Sequence, residues 1–89
     1  MKLDELSLAK FMALLDEEYQ WPAEYLFKFI VPAAQREHFQ SELSLTTYSE
    51  KPSKTGKYTA FTYKLKMHSA AEVVAVYQKA AKISGVLSL

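Results

Sequence analysis

KYTAFTYKLKMHSAAEVVAVYQKAAKI, residues 57–83, changes its hydrophobic period at a single residue, Ser69. Before that point it alternates: Thr59, Phe61, Tyr63, Leu65 and Met67 fall on one face of an extended strand, and Tyr58, Ala60, Thr62, Lys64 and Lys66 on the other. The charges lie on the second face only, so the first is the inner one. Ser69-Ala70-Ala71-Glu72 then reads as a capping box, in which the serine oxygen accepts a free backbone N–H and the glutamate reaches back to the cap. Beyond it Val73, Val76, Tyr77 and Ala80 recur at helical spacing as a buried stripe, flanked by Val74 and Ala81. Lys79 and Lys82 suit the negative end of the helix dipole, and Gly85 a left-handed stop. The stretch is a strand from Lys57 to Met67 followed by a helix, and Val86 to Leu89 adds a short last strand.

Upstream, Tyr25 to Val31 repeats the alternation, with Tyr25, Phe27, Phe29 and Val31 on one face and Leu26, Lys28 and Ile30 on the other. Pro32 suits the first turn of a helix, and a short helix over 33–42 would bury Phe39 and Leu43 at i, i+4 spacing while Gln35-Arg36-Glu37-His38 meets solvent. A weaker, edge strand is expected over 43–49, and Glu50-Lys51-Pro52-Ser53-Lys54-Thr55-Gly56 reads as a mobile hairpin connection. Ahead of these, Leu8, Phe11, Met12 and Leu15 recur at i, i+3, i+4 and i+7, predicting an amphipathic helix over 7–19 that ends at Trp21-Pro22.

The resulting order, β-α-β-β-α-β behind a leading helix, predicts an α+β protein. Residues 21–89 form a ferredoxin-like βαββαβ sandwich, a four-stranded antiparallel sheet with two helices on one face, and residues 1–20 supply an extra N-terminal helix. The first and third strands become central neighbours. Lys28 then lies near Thr62, Lys64 or Lys66 on the uncovered face, where Leu26 and Ile30 also point, to be covered by the leading helix or by a second subunit.

Composition narrows the function. Eighty-nine residues, 49% hydrophobic and 24% charged, suit one ordinary domain. A chain of this size buries roughly 60–65% of its unfolded surface, enough for one core without a deep enclosed pocket. Eleven basic against ten acidic side chains give a net charge of +1, so no global field steers nucleic acid or membrane to it. Without cysteine the chain has no thiolate nucleophile or thiolate metal site, which fits a reducing compartment. The first residues lack the basic and apolar regions of a secretory leader, and no apolar run approaches ~18 residues, so a cytoplasmic protein without membrane contact is expected.

Three segments resemble the YbeD-like proteins, a small bacterial family of uncharacterised function: WPAEYLFKFIV (21–31), KPSKTGKY (51–58) and YQKAAKISGV (77–86). The resemblance implies a ferredoxin-like fold akin to small-molecule-binding regulatory domains of the ACT type, and it implies no known activity and no functional residue. The shorter first helix of the sandwich and the additional leading helix depart from the better-known members.

An acylphosphatase, another tenant of this fold, needs an arginine in a glycine-bearing phosphate loop, whereas the loop after the first strand, Val31 to Arg36, has no glycine. His38 and His68 lack the partners of a catalytic triad or a metal site, so no catalytic residue, metal or cofactor is expected. Phe61 and Tyr63 have the spacing of base-stacking rings in an RNA-recognition sheet, but Thr59-Ala60 is not the basic-glycine opening of that motif and both rings read as core. What survives is the outer sheet face, where Lys28, Lys64 and Lys66 converge with Tyr58, Thr62 and His68 into an anion-friendly shelf. The expectation is a non-catalytic regulatory or adaptor domain, homodimeric, that binds a small anionic metabolite or a partner protein there. Weak single-stranded RNA binding through the same lysines is the alternative.

Overall fold

The computed structural model describes residues 5–45 and 49–89. The chain runs α1 (Glu5–Glu18), β1 (Ala23–Pro32), a 3-10 turn (Ala33–Gln35), α2 (Arg36–Leu43), β2 (Ser49–Pro52), β3 (Tyr58–Met67), α3 (Ala70–Ala81) and β4 (Leu87–Ser88). The strands form one antiparallel sheet in the order β2-β3-β1-β4, the ferredoxin-like arrangement. Its spine is the central pair, β1 with β3, which stays in register over ten residues from Ala23 opposite Met67 to Pro32 opposite Tyr58.

That pair sets the core. Phe27, Phe29, Phe61 and Tyr63 are fully buried on one side of the sheet, as the alternation requires. Helices α2 and α3 each lay one aromatic ring on this floor, and α1 lays one on the ring of α3. Phe39 of α2 sits 5.4 Å from Phe29 and 5.0 Å from Phe61, centroid to centroid. Tyr77 of α3 meets Phe27 edge-on at 5.2 Å, and Phe11 of α1 meets Tyr77 at 5.8 Å. The Tyr77 hydroxyl lies 3.0 Å from that of Tyr25; burial, then this hydrogen bond, push its pKa above the ordinary 10.

The ends of α3 follow the sequence closely. Ser69 Oγ accepts the Glu72 N–H at 3.2 Å, although Glu72 reaches one residue further back than a capping box requires, accepting the His68 N–H at 3.2 Å. Gly85 has φ +80°, and a Cβ there would come within 2.8 Å of Pro32 Cγ, so both backbone conformation and close approach to β1 demand glycine. Along α3 the buried stripe includes Ala70 and Val74 with Val73, Tyr77 and Ala80; Val76 is only half-buried and Ala81 is exposed.

Three expectations change. The leading helix does not cover the outer sheet face: it packs against α3, with Leu15 buried in the common core and Phe11 and Met12 beside it. The helix after β1 opens with a 3-10 turn and extends to Leu43, which the core claims together with Phe39; Ser44 ends it in the left-handed region, φ 52°. Of the strand expected over 43–49, Leu43 belongs to α2 and residues 44–45 are not in a strand. Residues 46–48 lie outside the described residues, and β2 occupies Ser49–Pro52, so Glu50 to Pro52 belong to a strand rather than to the loop.

Because Phe61 has no solvent exposure and rings on either side, Phe61→Ala should cost roughly 3–5 kcal/mol in chemical denaturation. A loss under about 1 kcal/mol would mean that the ring faces water, as in an RNA-recognition sheet.

Candidate functional site

Burying the rings decides what the uncovered face carries. With Phe27 and Phe29 turned to the helices, Glu24, Leu26, Lys28 and Ile30 of β1 point away, as do Tyr58, Ala60, Thr62, Lys64 and Lys66 of β3. Register carries this parity to the edges. On β2, Ser49 opposes Thr62 and Lys51 opposes Ala60; on β4, Leu87 opposes Ile30. Leu89, whose N–H donates to the Lys28 carbonyl at 2.9 Å, follows on the same side.

Five of the six residues read as an anion shelf, Lys28, Tyr58, Thr62, Lys64 and Lys66, share this face. His68 does not join them: its Nδ1 lies 3.3 Å from Glu72 Oε1, at the start of α3. Nor do the five gather at one point. Lys28 opposes Thr62 and Lys64 opposes Leu26, which makes the two lysines diagonal neighbours about 7–8 Å apart. Lys66 opposes Glu24, and Tyr58 stands about 20 Å along β3 from Lys64. A single small anion can therefore meet Lys64 together with Lys28 and Thr62, or together with Lys66, but Lys28 and Lys66 lie too far apart to share it and Tyr58 is out of its reach.

Between the lysines the face is apolar. Leu26 is 55% exposed, Leu87 58%, Leu89 68% and Tyr58 45%, with Ile30 half-buried among them. Sequence reading placed Leu26 and Ile30 here but missed Lys51, Leu87 and Leu89. Lys51 was hidden by the misplaced second strand. Counting back from the Gly56 turn, which sets Ser49–Pro52 opposite Thr59–Thr62, was the signal that finds it.

Charge on the face is one-sided. Lys28, Lys51, Lys64 and Lys66 stand against one carboxylate, Glu24, among the described residues. Glu50, the acid of β2, opposes Phe61 and so points to the helical side, where Arg36 of α2 holds it through one edge of its guanidinium; Nε donates to Oε2 at 2.7 Å and Nη2 to Oε1.

A family model described as a protein of unknown function, DUF493, matches residues 16–89, from the end of α1 through β4. Comparison with the curated proteins and with the solved structures gives no significant match.

The hydrogen bonds from Arg36 hold the Glu50 carboxyl below its ordinary 4.5. A depressed folded pKa contributes stability that is present above pH 4.5 and lost as pH falls through the folded value. Both side chains are partly exposed, so the contribution is modest. In acid titrations followed by circular dichroism, Glu50→Gln and Arg36→Gln should each lose less stability below pH 4.5 than the unsubstituted protein. Superimposable profiles would show that the pair does not favour the folded state.

Proposed function

The chain belongs to the DUF493 family of proteins of unknown function, and we propose that its open sheet face is a docking surface for a partner protein, making this a non-catalytic adaptor or regulatory domain. One observation carries the reading: the exposed apolar side chains Leu26, Tyr58, Leu87 and Leu89 share the open face with Lys28, Lys51, Lys64 and Lys66, which make no ion pair among the described residues. Such a surface suits a partner segment whose apolar side chains are flanked by aspartate and glutamate. Apolar contact supplies the affinity, and the lysines select the charge of the partner and its register.

The spread of the lysines argues against the smaller ligand. A metabolite bound by Lys28 and Lys64 would leave Leu87, Leu89 and Tyr58 in water, which gives those side chains no part in the site. Single-stranded RNA is served less well still. It calls for several stacking rings in a basic groove, and among the described residues Tyr58 is the one exposed large aromatic of this face. The same proposal equates the family with the YbeD-like proteins resembled by residues 21–31, 51–58 and 77–86, and sets the domain in the bacterial cytoplasm.

The test uses the full chain at native level, with a photo-crosslinking amino acid at Leu26, at Leu87 or, as a control on the exposed side of α3, at Gln78. Crosslinks from Leu26 and Leu87, and not from Gln78, should lead to one protein through a peptide rich in leucine or aromatic residues beside acids. Lys28→Glu with Lys64→Glu should cut their yield at least about tenfold. Both lysines are exposed, so cooperative unfolding should shift by less than about 1 kcal/mol. Equal crosslinking from Gln78, crosslinks to RNA, or yields indifferent to the double substitution would overturn the docking surface.

A further inference from the structure

At the hairpin end of the open face lies a hollow of about 410 Å³, and we infer that it receives one large apolar side chain flanked by carboxylates from an acidic segment of the partner protein. This rests on the docking reading above and adds to it the chemistry of the anchor. The hollow exists because Ala60 is a gap in a row of larger side chains. Along β3 it follows Tyr58, and across the sheet it stands between Lys51 and Ile30, so those three neighbours become walls around a floor one methyl high. Its volume falls within the roughly 300–1,000 Å³ typical of ligand sites.

The walls are held in place before any partner arrives. The Ser53 N–H donates to the Tyr58 carbonyl at 2.8 Å, the Tyr58 N–H donates to Ser53 Oγ at 3.2 Å, and the Gly56 N–H donates to the Ser53 carbonyl at 3.0 Å with Gly56 at φ +74°. A rigid turn loses little conformational freedom on binding, which favours a specific anchor over loose adhesion. The rim carries the charge. Lys51 and Lys54 line the hollow and make no ion pair among the described residues, while the neighbouring acid, Glu50, is committed to Arg36 on the opposite side of the sheet. An apolar floor under two unneutralised ammonium groups matches an apolar side chain between acids. It repels the same side chain set among lysines.

The probe is a capped ten-residue peptide with one tryptophan between two pairs of glutamates in a glycine-serine frame, titrated into the full ¹⁵N-labelled chain. Amide cross-peaks of Ser53, Lys54, Tyr58 and Ala60 should shift saturably. Replacing the tryptophan by glycine, or the glutamates by glutamine, should weaken binding at least about tenfold. Ala60→Leu, which fills the hollow, should do the same with the spectrum of the far end of β1 unchanged. If that variant does not fold, Lys51→Glu with Lys54→Glu replaces it, since both side chains are exposed. Absence of saturable shifts, equal binding of the control peptides, or tighter binding of oligouridine to the same peaks would overturn the inference. Shifts confined to Leu26 and Leu87 would overturn the hollow while leaving the docking face standing.

Discussion

The fold depends on one constraint: strands β1 and β3 must bury the same parity of side chains on the same side. Phe27 and Phe29 directly oppose Tyr63 and Phe61 in one ten-residue pairing, and a slip of one residue by either strand would turn that strand's two rings to water. Removing four rings from solvent is the largest apolar contribution that two strands of this chain can make. Everything else adapts to that floor. Phe39 and Tyr77 bring α2 and α3 down onto it, and Phe11 sets α1 against Tyr77 on the same side.

The same parity fixes the outer face without any further selection of geometry. Once the odd-numbered positions of β1 and β3 face inwards, Leu26, Lys28, Ile30, Tyr58, Ala60, Thr62 and Lys64 have no choice but to line the other surface. An open antiparallel sheet face with leucines on it risks self-association. Its lysines oppose that for like copies, and they leave the surface receptive to a partner of opposite charge. Solubility and recognition thus draw on the same side chains. The Arg36–Glu50 pair contributes at one remove, by holding the acid of β2 on the helical side of the sheet.

Residue patterns made much of this legible. The Phe27–Phe29 and Phe61–Tyr63 alternations gave strand identity and inner face together, since side-chain period and charge segregation are properties of the local sequence. Ser69 and Gly85 marked the ends of the βα unit for the same local reason. The second strand was not legible. Leu43 and Leu45 have the side chains of a strand, yet Leu43 ends α2, and β2 is Ser49–Pro52, four exposed residues whose position comes from pairing with β3 through the Gly56 turn. A strand with no buried side chain leaves no periodic signal; only its partner locates it. His68 shows the converse, since its parity suggested the outer face while the Glu72 carboxylate drew it to the helix start.

By itself, then, the sequence determined the class of fold, the central strands, the inner face and the parity that sends Lys28, Thr62 and Lys64 outwards, because these follow from side-chain alternation and helical spacing. Tertiary structure alone decided that α1 packs on α3 rather than on the sheet, that Lys51, Leu87 and Leu89 join the open face, and that Ala60 is the floor of a hollow. Those outcomes turn on cross-strand register and on which apolar surfaces meet, and neither is written in the spacing of any one segment.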